Sequence, residues 1–524
     1  MMSISLQRRF RSLSNACLYS SATEKSLFIT SYKSFVDGKQ APLSTKDEFN
    51  VYAPATGAQL CGVQNADVGL VNDAISNCHA TFESGIWSRA DVRERAKVLQ
   101  RIADNLRKEI PRLAKLEVAQ TGRPIREMNA QLARLPEWFE YFGAVIRTQE
   151  GTVPPFLGSY INYVRRVPLG VCGLLTPWNH PMLIAIKKIA PAIATGNSII
   201  VKPSEFAPVS VVELARICSE SGLPNGVMNV VTALGPEAGQ AICSHPLVKR
   251  IDLTGGTPTG RKVGAAAGAN LASITSELGG KAAMVIFNDC DLQQAVNGAA
   301  FATFVASGQT CIMGARLIIH KDIYAKFMEL LVAKVTQIRL GDPFDVDTQM
   351  GPVISGASKR RIADMVETAR QQGAVVLAGG GLPTMPAPFD KGHYYSPTVL
   401  EVTPSMSIWR DEVFGPVVVA VSFDSEEEAV RLSNDSPFGL AAAVWTKDVM
   451  RAHRVADKLD VGIVWINDHH RNDPSSPWGG MKDSGIGREN GYSAFMEYTQ
   501  AKSVIVRTDN SPFDWFEQKD ARYG

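Results

Sequence analysis

The chain lacks most of the features that would assign it to a specialised class. Its eight cysteines in 524 residues include no C-x-x-C pair, which leaves neither a disulfide framework nor a zinc ribbon and points to a reducing compartment. It has no excess of either charge: 54 Lys and Arg stand against 52 Asp and Glu, so no basic surplus exists to hold nucleic acid. It also lacks a convincing membrane span. The longest uncharged run, Ala295 to Ala315, carries Asn297, Gln309 and three Gly, too polar for the roughly 20 residues that cross hydrocarbon. The run from Val171 to Ile186 is broken by Pro177 and Pro181. Internal repeats and low-complexity tracts are missing too. What remains, 45% hydrophobic and 20% charged residues, is the balance of a folded globular chain.

The first 23 residues stand apart. They hold Arg8, Arg9 and Arg11, six Ser and no acid before Glu24, and on a helix Leu6, Phe10, Leu13 and Cys17 share one face. Leaders that are Arg- and Ser-rich and acid-poor resemble mitochondrial transit peptides. Residues 1–24 are therefore read either as a transit peptide to the mitochondrial matrix or as a disordered leader on a cytoplasmic chain, and are set aside from the fold.

From Val167 onward, short apolar runs alternate with segments of helical period. Gly173–Thr176, Ser198–Val201, Val227–Val231 and Arg250–Leu253 read as strands, and Met182–Ala194 and Val209–Ser219 as helices. Repeated strand–helix–strand units imply a parallel sheet covered by helices, with ligands at the strand ends. A second alternating block opens at Ala282, with strands at Met284–Ile286 and Leu317–Ile319 and helices after Asp291 and from Ile323. Residues 25–146 are richer in helix, Asp91–Gln120 being charged and periodic. Tyr160–Val167 and Ser503–Arg507 look extended and lie outside both blocks. Two strands without a core of their own need another surface, so they form either a hairpin at a subunit contact or an ordinary edge pair.

Several residues have types and positions that suit chemistry. Cys311 follows Gly308-Gln309-Thr310 at the end of the uncharged run, and reads as a nucleophile or as buried packing. Glu277, before Leu278-Gly279-Gly280-Lys281, is a general base beside a bent backbone or a turn acid paired with Lys281. Asn179, in Pro177-Trp178-Asn179-His180-Pro181, caps a helix or donates to a developing oxyanion. Lys202 and Glu205 sit at a strand's carboxyl end, where they suit a ribose diol or form a loop ion pair. Gly255-Gly256-Thr257-Pro258-Thr259-Gly260 ends a strand and opens a helix, a place where backbone N–H groups meet a pyrophosphate.

Taken together, these segments resemble the aldehyde dehydrogenase superfamily. P-W-N-x-P, K-P-S-E, G-x-x-x-x-G, E-L-G-G-K, G-Q-x-C-x-x-x-x-R (to Arg316), E-V-F-G-P (Glu412 to Pro416), N-D-S-P-F-G-L (Asn434 to Leu440) and Trp478 to Gly485 stand in the family's order, over about residues 30 to 507. The resemblance implies an α/β fold: a Rossmann-like NAD-binding domain (25–146 and 169–279), a second α/β catalytic domain (280–482), a small β oligomerisation segment (147–168 and 483–508) and a tail, 509–524.

It also implies roles. Cys311 would attack an aldehyde, Asn179 would hold the oxyanion, and Glu277 would activate the water that hydrolyses a thioester. Trp178, Lys202, Glu205, Gly255, Gly256, Leu278, Glu412 and Phe414 would contact the cofactor. Glu205 would repel a 2′-phosphate, favouring NAD over NADP. No metal is implied, and the partners expected are a small aldehyde and other copies of the chain, as dimer or tetramer. The substrate pocket would be lined by His180, Ile184, Lys187, Thr310, Ile312, Arg471, Asn472 and Trp478. Lys187 and Arg471 suggest a carboxylate-bearing semialdehyde, unless Asp468 and Asp473 neutralise that loop. An acylating enzyme using coenzyme A, and a non-catalytic member of the fold, are the rivals; Glu277 argues against the first, and the three retained reacting groups against the second. Ala306, Met313 and Ser276 depart from the usual family residues, which bears on packing around the nucleophile.

Overall fold

The computed structural model describes residues 27–42, 46–510, 512, 516 and 517; the leader at 1–24 and most of the tail lie outside them. The first sheet has eight strands, and its five central ones are parallel, in the order Ser273–Glu277, Val248–Thr254, Val171–Leu175, Ser198–Lys202, Met228–Val230. Every residue of Val171–Leu175 is buried, because helices cover both faces and leave no polar alternation. The strand first in sequence lies beside the fourth, so the order reverses between Val171–Leu175 and Val248–Thr254. A crevice opens at the carboxyl ends of strands at such a switch point.

The helix after the first strand, Pro181–Ala194, starts with Pro at its first position, where the missing N–H costs nothing. The 30-residue helix Val92–Thr121 begins at Asp91, whose carboxylate accepts from Arg93 N–H at 2.7 Å, and stops at Gly122 with φ 75°. Its inner face packs Leu99, Leu106 and Leu113 into the core that also holds Phe139, Phe142 and Leu214. Each fully buried side chain of that size contributes about 1.5–3 kcal/mol.

The second sheet has seven strands, parallel except for Val375–Ala378, with Ala282–Ile286 and Gly314–His320 adjacent near its centre. Asp291 caps the helix Leu292–Phe304, accepting from Gln294 N–H at 3.0 Å. The helix ends at Phe304, so the uncharged run does not carry helix as far as the cysteine; an irregular turn intervenes.

Tyr160–Pro168 and Thr499–Arg507 pair antiparallel over nine residues as a separate two-stranded sheet. The expected oligomerisation segment 483–508 is not one unit, however. Gly485–Ile486 joins the first sheet beside Ser273–Glu277, and the helix Gly491–Glu497 sends Ala494 and Phe495 into the first core. The Gly, Ser and Asn residues between 484 and 491 masked this, because they carry no strand or helix period.

Candidate active site

The turn before Cys311 is backbone that most residues avoid. Ala306, Ser307 and Gly308 all have positive φ, at 53°, 55° and 69°. Each non-glycine residue there costs about 1–3 kcal/mol, and the surroundings hold them in place. Glu127 accepts the Ala306 N–H, Ser307 Oγ donates to Gly351 O at 2.9 Å, and Gln309 Oε1 accepts from Ile354 N–H at 2.8 Å. A Cβ on Gly308 would stand 2.2 Å from Gly415 O, so this turn and the Glu412–Pro416 turn touch backbone to backbone.

Glu277 ends the strand Ser273–Glu277 of the first sheet, and Cys311 precedes Gly314–His320 of the second. The site thus forms where the carboxyl ends of one sheet face the amino ends of the other. Gly280 makes the approach possible, since a Cβ there would stand 2.1 Å from Cys311 O. Glu277 and Cys311 line one cavity. Burial, then the Glu277 carboxyl, raises the Cys311 thiol well above its ordinary value. Burial, then the Glu489 charge, raises Glu277, against the opposing pull of Lys187. Glu277 Oε1 has no hydrogen-bond partner among the described residues. The alternative of a Glu277–Lys281 turn pair is not formed, because Lys281 Nζ is itself buried without a partner; burial and Arg316 push it down to about 7.

Asn179 is not the helix cap. His180 takes that position without a side-chain cap bond, and Asn179 Nδ2 donates instead to Gln309 O at 2.9 Å, two residues before the cysteine. One of its two amide hydrogens stays available.

The cofactor candidates gather at the switch point. Lys202 ends its strand with its ammonium buried, which lowers its pKa, and no ion pair joins it to Glu205 among the described residues. Gly256 caps the helix Thr257–Ala269 without a side chain, leaving the first N–H groups of the helix open to an anion. Gly260 lets that helix close on Leu278, 2.6 Å from where a Cβ would lie. Trp178 and Phe414 meet edge to face at 5.5 Å, and Phe206 meets Trp178 at 6.4 Å. Glu412 accepts the Gly280 N–H at 2.9 Å, and burial pushes its carboxyl up to about 7. These residues fit a dinucleotide lying along the strand ends toward Cys311.

Beyond the cysteine lies a mostly apolar cavity of about 330 Å³. All eight expected pocket residues, His180, Ile184, Lys187, Thr310, Ile312, Arg471, Asn472 and Trp478, line it. The expected cationic mouth is neutralised in place: Lys187 Nζ lies 2.6 Å from Glu489 Oε2, and Arg471 Nε 2.8 Å from Asp468 Oδ2. His180 accepts from Arg123 at 2.6 Å, and burial, then Arg123, keeps it neutral. His470 Nε2 donates to Ala302 O at 3.0 Å, its pKa pushed down to about 3 by burial. His469 Nε2 donates to Ile312 O at 2.7 Å, steadying the backbone next to Cys311.

The aldehyde dehydrogenase family model matches residues 42–504. The chain belongs to the aldehyde dehydrogenase family. It is 41% identical over 458 residues to a Brucella melitensis protein named betaine aldehyde dehydrogenase, covering 87% of this chain and 93% of that one. Among solved structures, betaine aldehyde dehydrogenase from Staphylococcus aureus with NAD+ superposes with a TM-score of 0.93 at 35% identity, over 95% of this chain and 100% of that one. PnpE in complex with nicotinamide adenine dinucleotide gives 0.91 at 39%, over 93% and 100%. Family membership makes this chain an aldehyde dehydrogenase.

Several residues of this aldehyde dehydrogenase site escaped the sequence reading. Trp138 and Phe301 supply aromatic wall, and Arg123, Glu127 and Gln131 brace His180 and the turn before Cys311. Arg123 and Glu127 are four residues apart in T-G-R-P-I-R-E, but Arg123 precedes the helix that starts at Ile125, so helical spacing does not announce their ion pair. Glu489, clamped between Lys187 and Lys188, lies just past the segment that ends at Gly485. Nothing in its local sequence announces a buried acid.

Proposed function

We propose that Cys311 is the nucleophile of a hydrolytic oxidation of an uncharged, apolar aldehyde to its carboxylic acid. It releases its proton to solvent and, as a thiolate, forms the bond to the carbonyl carbon. The resulting oxyanion accepts from the free Asn179 amide hydrogen and the Cys311 backbone N–H. A bound NAD+ would supply the hydride acceptor that oxidises the Cys311-bound carbon to the thioester. Glu277 then takes a proton from water as its oxygen attacks the thioester; the carbon–sulfur bond breaks and the acid departs. Lys202, Glu205, Gly256, Glu412, Phe414 and Trp178 would hold the dinucleotide, Glu205 disfavouring a 2′-phosphate. The observation that carries the reading is the single cavity in which Cys311 and Glu277 face each other, with Asn179 tied to the Gln309 carbonyl beside them. The apolar walls and neutralised cations support an uncharged substrate over a semialdehyde acid.

The test is NADH formation by purified enzyme with a panel of aldehydes, with NADP+ in parallel and coenzyme A present or absent. Turnover with NAD+ and without coenzyme A supports the proposal. A strict need for coenzyme A, or a preference for a semialdehyde acid over an aliphatic aldehyde of equal length, overturns it.

We also propose that the pair of nine-residue strands Tyr160–Pro168 and Thr499–Arg507 joins subunits in a dimer or tetramer. It projects Ile161, Tyr163, Ile505 and Val506 into solvent. Light scattering of wild type and an Ile161→Lys/Ile505→Lys variant tests this. The Arg-rich leader supports delivery to mitochondria, tested by fusing residues 1–26 to a fluorescent protein.

A further inference from the structure

We infer that Lys187 sets the charge class of the substrate, excluding cationic aldehydes, and quaternary ammonium ones above all, from a cavity whose aromatic wall would otherwise receive them. The inference rests on the proposed aldehyde oxidation at Cys311. A quaternary ammonium has no N–H to donate, so it is recognised by an aromatic face or a carboxylate. The face of Trp478 is already taken: Lys187 Nζ stands 4.4 Å from its ring centroid. The ammonium is held there by Glu489 at 2.6 Å, with both side chains almost fully buried. An incoming cation would have to displace that ammonium from the ring and break its pair with Glu489.

The cavity's acids do not compensate. Glu127 is bound to Arg123 at 3.1 Å and to the Ala306 N–H, so its charge is spent on the turn. Glu489 is shared between Lys187 and Lys188. Glu277 remains, but burial favours its uncharged form and it is the group proposed to serve the hydrolytic water. A neutral branched or flat apolar group meets no such obstacle. The chain thereby separates in substrate charge from the relatives named betaine aldehyde dehydrogenase.

A matched pair of substrates tests this: betaine aldehyde and 3,3-dimethylbutanal, which share a shape and differ in a carbon replacing the charged nitrogen. kcat/KM is measured for both with wild type, Lys187→Met and Lys187→Gln; the second variant keeps a polar partner for Glu489 should the first fail to fold. Wild type is expected to favour the neutral aldehyde by about tenfold or more, and the variants to lower that ratio by about tenfold. The ratio cancels any general loss of activity. Equal kcat/KM for the two in wild type, or a ratio unmoved in both variants, overturns the role of Lys187 and leaves the oxidation standing. No NADH from any aldehyde overturns both.

Discussion

Glu127 accepts the Ala306 N–H with both carboxylate oxygens, at 3.2 and 3.3 Å, while Arg123 bonds the same carboxylate and reaches across to His180. One buried ion pair thus braces the turn that leads to Cys311 and the segment that carries Asn179 and His180. Glu127→Ala leaves Arg123 unpaired and the left-handed turn without its anchor. We expect kcat to fall about 10²-fold, the scale of a roughly 1 Å misplacement, while the KM for NAD+ changes little. Glu127→Gln, which keeps an acceptor, should recover part of the loss. Equal damage to NAD+ binding would show that the pair supports the fold in general instead.

Cys311→Ala should abolish oxidation, lowering kcat by more than about 10³-fold, with NAD+ affinity by calorimetry nearly intact. Turnover that survives this substitution would remove the sulfur from the mechanism.

Glu277→Gln should slow deacylation by about 10²–10⁴-fold. A thioester should then accumulate on Cys311 after aldehyde and NAD+ are added, visible as added mass on the intact chain. Finding only unmodified protein counts against the role of Glu277 in activating water.

The Cys311 thiol is raised by burial and then by the Glu277 carboxyl. Its alkylation by iodoacetamide in the absence of NAD+ should therefore be slow at neutral pH and climb with a midpoint above the usual thiol range, about 8.5. Glu277→Gln removes a carboxylate that opposes the thiolate, so the midpoint should move down. A midpoint moving up would mean that Glu277 stabilises the thiolate.

Glu489 tests linkage in the opposite direction. Burial would raise its pKa, but Lys187 and Lys188 outweigh burial and hold the carboxyl down to about 2. A carboxyl with a folded value below its unfolded one, roughly 4.3, stabilises above the unfolded value, and that contribution is lost as pH falls toward the folded one. Glu489→Gln should lower the apparent Tm at pH 7, by the equivalent of about 3 kcal/mol. The gap to wild type should narrow as the pH drops below about 4. A gap independent of pH would place its origin in packing.

The parts of the fold with strong period were legible from sequence. Val171–Leu175, Ala282–Ile286 and the helix Val92–Thr121 lie within a few residues of where apolar runs and helical spacing set them. Glu277 and Cys311 were legible as motif residues, and Gly280 and Gly308 beside them mark close backbone approaches that leave no room for a Cβ. What stayed hidden depends on partners distant in sequence. Lys187 reads as a free cation until Glu489, 302 residues later, is brought beside it. Asn179 reads as a cap until Gln309 is seen to hold its amide. Gly485–Ile486 is too short for any period, and only its pairing with Ser276 and Glu277 makes it a strand.

Glu277 ends a strand of one sheet, and Cys311 precedes a strand of the other. Neither half can therefore be transplanted alone. Grafting the second sheet onto a foreign nucleotide-binding half would import the thiol without its acid or amide, and an exchange across Leu278 to Lys281 would also have to preserve the bare glycine behind Cys311. Variation in what this scaffold accepts is cheapest in the wall formed by Trp138, Leu183, Phe301 and Val305, which can change shape while the seam between the halves stays untouched.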